Sequence, residues 1–66
     1  MKDYIYVGMC MSKRGRTVVS VKVCQYASDQ DALGGVLFYL ESASADIESV
    51  LVFDAFEDQQ ICEVQI

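Results

Sequence analysis

The chain has 66 residues, of which 53% are apolar and 23% charged, and it carries a formal net charge of −5. That is enough apolar material for one folded domain and argues against disorder, although so short a chain has few contacts to spare. It contains no histidine, which removes the commonest general base and the commonest metal ligand, and with them Ser-His and Cys-His catalysis.

No apolar run approaches the roughly 18 residues that span a bilayer, and the first residues lack a basic segment followed by an apolar leader core, so a cytoplasmic protein is expected. The three cysteines, Cys10, Cys24 and Cys62, are odd in number and widely spaced, unlike a disulfide framework, and are expected to stay reduced. Charge is unevenly placed. Residues 1–28 hold all five Lys and Arg against one acid, Asp3, whereas residues 29–66 hold nine carboxylates and no base.

The first thirty residues read as a β-hairpin. Strict alternation puts Ile5, Val7, Met9 and Met11 on one face of a first strand and Val19, Val21 and Val23 on one face of a second. A three-residue loop at Lys13, Arg14 and Gly15, with Gly15 in the left-handed position, sets Met11 opposite Thr17, Met9 opposite Val19, Val7 opposite Val21 and Ile5 opposite Val23. These aliphatic positions are expected to be the inner face.

Ser28 is placed to cap a helix over approximately 29–42, with Asp29 and Asp31 near its positive end. Leu33, Val36, Leu37 and Leu40, extended by Ala32 and Ala43, form its expected inward stripe. Gly34-Gly35 opposes this reading, since each glycine inside a helix costs about 1 kcal/mol against alanine; Val36 to Leu40 as a buried strand after a glycine turn is the competing assignment. The small, polar stretch from Ser42 to Asp46 reads as the connection back to the sheet. Strands over Val50–Phe56 and Ile61–Ile66 follow, with Ala55 opposite Cys62, Phe53 opposite Val64 and Leu51 opposite Ile66 across a turn at Glu57 to Gln60. The order β-β-α-β-β predicts a two-layer α+β domain: a four-stranded antiparallel sheet with one helix on one face. The whole chain forms one domain.

Such a fold leaves the second sheet face uncovered. On the expected inside-outside assignment that face carries Tyr4, Tyr6, Val18, Tyr26, Val50, Val52, Phe56 and Ile61, too apolar for solvent, and it is the expected homodimer interface. Gly35, Phe38 and Tyr39 on the helix form a second candidate interface. Glu41, Asp46, Glu48, Glu57 and Asp58 make an acidic surface suited to a basic groove on another protein, as in an inhibitor or adaptor that imitates nucleic acid. The basic hairpin tip, Lys13, Arg14 and Arg16, is expected to be a solvated guard against edge pairing.

Chemistry is not expected. Asp54 and Glu63 fall opposite each other in the proposed register and are the only acid pair worth weighing, the cysteines lack metal-site spacing, and the glycine pair lacks the Lys-Ser or Lys-Thr of a phosphate loop. No cofactor is implied. The reading is therefore a small, acidic, non-enzymatic interaction module whose charge disfavours nucleic acid; the alternative is a single-stranded nucleic-acid binder that uses the sheet-face tyrosines and the basic tip.

Overall fold

A computed structural model describes residues 1–43 and 46–66, so the expected connection from Ser42 to Asp46 lies partly outside the described residues. Strands β1 (Lys2–Ser12), β2 (Gly15–Tyr26), β3 (Ser49–Asp54) and β4 (Gln59–Gln65) form one antiparallel sheet in the order β2-β1-β3-β4. The two hairpins therefore lie side by side. Since β1 runs antiparallel to both β2 and β3, those two are parallel with β1 between them, and the helical segment that joins them has to cross one sheet face.

That segment is a helix in two parts, α1 (Asp29–Gly34) and α2 (Val36–Ser42), joined through Gly35. Ser28 caps it as expected, its Oγ accepting from the Asp31 amide at 3.2 Å. The Gly35 amide is shared between the carbonyls of Asp31 and Ala32, and the Gly35 carbonyl accepts from Tyr39, so the backbone stays helical across the glycine pair. A strand over Val36–Leu40 does not form.

Gly15 has φ +106, the left-handed conformation expected of it, but the expected three-residue loop does not form: Gly15 already pairs with Ser12 as the first residue of β2, and the turn is Lys13-Arg14 alone. Ile5 pairs with Val23 and Val7 with Val21 as expected, but a bulge between Gly8 and Met9 shifts the tip, giving Met9–Val18 and Met11–Arg16 in place of Met9–Val19 and Met11–Thr17. The second hairpin departs further. Its turn is Ala55–Asp58, earlier than expected, because Asp54 Oδ1 accepts from the amides of Phe56 (2.9 Å) and Glu57 (3.2 Å) and ends β3 there. Asp54 then pairs with Gln59 and Phe53 with Gln60, and a register shift between Val52 and Phe53, which passes over Ile61, sets Val52 opposite Cys62, Leu51 opposite Glu63 and Val50 opposite Val64.

The main correction is sidedness. The helix covers the tyrosine face: Tyr4, Tyr6, Val50 and Val52 are 0% exposed and form the core with Ala32, Val36 and Tyr39. The expected inner residues Val19, Val21 and Val23 are exposed, and Ile5, Val7 and Met9 are only half-buried. Volume matching explains the choice. The inward helix stripe is Ala32, Gly35, Val36 and Tyr39, mostly small side chains that leave room for sheet tyrosines, while Leu33 and Leu37 of the expected stripe turn outward. A Cβ on Gly35 would overlap the hydroxyls of Tyr26 and Tyr6, and one on Gly8 would overlap the Tyr39 hydroxyl and Ile47, so both glycines are seats for close approach.

Tyrosine also suits this layer because each buried hydroxyl finds an acceptor. Tyr6 donates to the Ala32 carbonyl at 2.5 Å, Tyr4 to Asp29 Oδ1 at 2.6 Å, and Tyr39 to the Ser20 carbonyl at 3.2 Å. The Tyr6 and Tyr39 rings stack at 5.3 Å, and Tyr26 meets Tyr6 edge-on at 6.3 Å.

Candidate protein-interaction surface

The uncovered sheet face is built from the residues that alternate with this core. Strand register places them in rows: Val23, Ile5 and Phe53 across β2, β1 and β3, then Val21, Val7 and Leu51, then Val18 beside Met9. The centre of the face is aliphatic. On the outer strand the side chains stand free, with Val18, Val21 and Val23 at 53%, 59% and 61% exposure. Polar residues frame it: Asp3 and Gln25 are hydrogen-bonded at one end (2.9 Å), and Gln60, Glu63 and Gln65 line β4. At the other end Arg16 donates to both Glu63 carboxylate oxygens, at 2.7 and 3.2 Å. Because β2 and β4 are the two edge strands, this forked pair ties them together over the end of the uncovered face. It also holds the Glu63 carboxyl below its ordinary range.

The interface expected from sequence is thus on the wrong side for most of its members. Tyr4, Tyr6, Val50 and Val52 are sealed in the core, and Tyr26 and Ile61 are half-buried against it. Val18 does reach the uncovered face, carried there by the bulge. Phe56 is exposed, but in the β3–β4 turn and not on a strand. Of the second candidate, Gly35 and Tyr39 face inward, and Phe38 alone is exposed, at 72%. The close approach expected at Gly35 is made within the molecule, by Tyr26 and Tyr6.

Asp54 and Glu63, expected to face each other, lie on opposite sides of the sheet. Asp54 is on the helix side, where its side chain is 3% exposed and binds Lys2 Nζ at 2.6 Å. Lys2, aided by the Phe56 and Glu57 amides, holds the Asp54 carboxyl below its ordinary range although burial pushes the other way. Lys2 also approaches Asp29 at 3.8 Å. The acid pair proposed from sequence is therefore two separate, neutralised acids. Glu41, Asp46, Glu48, Glu57 and Asp58 are all exposed, and none makes an ion pair within 4 Å among the described residues. In the hairpin tip Lys13 and Arg14 are exposed without such a pair, whereas Arg16 is engaged with Glu63. Tyr4, Tyr6 and Tyr39 are buried and Tyr26 is half-buried, so the stacking platform of the nucleic-acid alternative is not presented to solvent.

Fold and surface together define a class: a two-layer α+β domain with one helix-covered and one bare apolar sheet face. No protein-family model, curated protein or solved structure matches the chain. Among the described residues no helix is long and apolar enough to cross a membrane.

Proposed function

We propose that this protein is a small non-enzymatic interaction module that self-associates through its bare sheet face and presents acidic surface to a basic protein partner. The bare face carries the first half of this reading. A sheet normally buries both apolar faces, and here only one has a layer on it. The molecule measures 38 × 23 × 16 Å, so its broad face is on the order of the ~800 Å² that each partner buries in a standard interface. An aliphatic centre inside a polar frame has the layout of such an interface. A second copy laid on it completes a helix-sheet-sheet-helix sandwich, with the valines of two β2 strands in the central layers. The second half rests on charge. Two of the five bases are spent on Asp54 and Glu63, and the exposed acids from Glu41 to Asp58 keep their charge uncompensated, which suits an inhibitor or adaptor directed at a basic groove.

Sedimentation equilibrium across a concentration series tests the self-association. Wild type is expected at twice the chain mass, and Val21→Lys, a change at an exposed position, at the chain mass with an unchanged far-ultraviolet circular dichroism spectrum. A wild type that stays monomeric at all concentrations rejects the dimer.

A further inference from the structure

The helix that covers one sheet face has an outer face of its own. Leu37 and Phe38 are 71% and 72% exposed and Leu33 is 42% exposed, an amount of free apolar surface that a short helix does not need for folding. Their spacing brings them together. Leu33 and Leu37 are neighbours at i and i+4, and so are Gly34 and Phe38, so the three side chains surround Gly34. A Cβ on Gly34 would meet nothing, which leaves a shallow notch between them.

An acid stands at each end of this patch along the helix axis. Glu41 follows Leu37 by one turn, and Asp31 precedes Phe38 by two turns on the same side of the helix. Both are exposed and neither makes an ion pair among the described residues. The helix contains no Lys or Arg, and Asp29, its remaining acid at the start, is occupied by Tyr4 and Lys2.

We infer that the outer face of the helix, Leu33, Gly34, Leu37 and Phe38 between Asp31 and Glu41, docks a basic amphipathic helix of a partner protein. Apolar side chains of the partner enter the notch over Gly34, and Lys or Arg at either end of its apolar stripe meets Asp31 and Glu41. The carboxylates repel nucleic acid and anionic membranes, and so select among amphipathic ligands by charge. The inference rests on the basic-partner half of the proposed function and is independent of the dimer, whose face lies on the other side of the sheet.

The test is fluorescence anisotropy of a labelled synthetic peptide with Leu and Lys at helical spacing, titrated with the full chain at low and high salt. The same peptide with Glu in place of Lys is the control. Binding is expected for the Lys peptide only. The double variant Leu37→Ser with Phe38→Ser should weaken it by about tenfold or more, because the apolar area buried against the peptide shrinks. Asp31→Asn with Glu41→Gln should weaken it severalfold and reduce its salt dependence. Val21→Lys should leave it unchanged, so failure of the dimer and failure of this site are told apart. Four results overturn the inference: no binding of the Lys peptide at roughly 100 µM protein, equal binding by the Leu37/Phe38 variant, or equal weakening by Glu57→Gln with Asp58→Asn, which would mean diffuse attraction. The fourth is a lower solution mass for the Leu37/Phe38 variant than for wild type, which would assign the patch to a second copy. These positions are exposed, and an unchanged circular dichroism spectrum confirms that each variant folds.

Discussion

The two adjacent glycines of the helix should respond to alanine with opposite signs. Gly34 is exposed, sits in ordinary helical backbone and has open space where a Cβ would stand. Gly34→Ala should therefore stabilise by about 0.5–1 kcal/mol, the helical preference of alanine with nothing set against it. At Gly35 the same gain meets an obstacle. The added Cβ would lie 2.5 Å from the Tyr26 ring carbon that bears the hydroxyl and 2.6 Å from the Tyr6 hydroxyl, where ordinary contact is about 3.5–4 Å. Tyr26 is half-buried and can yield, but Tyr6 is held by its bond to the Ala32 carbonyl and its stack on Tyr39. Lifting the helix instead would open space beneath Ala32, Val36 and Tyr39. Overpacking of this kind costs about 1–3 kcal/mol, so Gly35→Ala should be net destabilising, and the two variants should differ by about 2 kcal/mol, or roughly 10 °C in melting temperature for so small a domain. Urea and thermal unfolding at one fixed protein concentration measure this, the fixed concentration being needed because association would shift apparent stability. A Gly35→Ala protein as stable as Gly34→Ala would refute the packing of the helix on the tyrosine layer.

Acid should act through Asp54 and Glu63. Both carboxyls are held below their ordinary range by Lys2 and Arg16, so their stabilisation is present above the ordinary carboxylate range, about pH 4, and is lost as pH falls through the lowered values. The urea midpoint should drop steeply there in wild type and less steeply in Lys2→Met; parallel curves would contradict the role of that pair. At the alkaline end, burial and then the neighbouring Tyr26 hydroxyl push Tyr6 far above the ordinary tyrosine range. Stability should fall as pH rises beyond about 10, and the ultraviolet difference spectrum should show all the tyrosines ionised only with unfolding. Complete ionisation of the tyrosines in a native protein would be inconsistent with the buried layer. Gly15→Ala should destabilise by about 1–2 kcal/mol, because φ is +106 there and its Cβ has space but no favourable conformation; an unchanged unfolding midpoint would refute the left-handed turn.

The α+β order, the helix cap, the left-handed Gly15 (though not the length of its loop) and half of the first register are legible in the sequence because each depends on neighbours in the chain. Alternation identifies two faces on β1 and β2 but not which one the helix takes. Hydropathy favours Ile5, Val7, Val21 and Val23 for the inside, and the molecule places Tyr4 and Tyr6 there. The deciding information is volume: Ala32 and Gly35 on the helix and Gly8 on the sheet are small where the tyrosines are large. Gly8 and Gly35 in one sequence with alternating tyrosines are the available sign. The second register is not legible from alternation because Asp54 ends β3 by accepting turn amides, an arrangement that competes with continued pairing through Ala55 and Phe56. An uncovered apolar face is foreseeable, but its residues are not, since one wrong assignment of sidedness transfers every side chain to the opposite face.

The bare sheet face is tested most directly by isotope-filtered nuclear Overhauser spectra of a mixture of labelled and unlabelled protein. Cross-peaks between copies should join methyl groups of Ile5, Val7, Val21, Val23 and Leu51, and no methyl groups of the helix. No cross-peaks between copies at millimolar concentration, or cross-peaks confined to Leu37 and Phe38, would contradict self-association through this face.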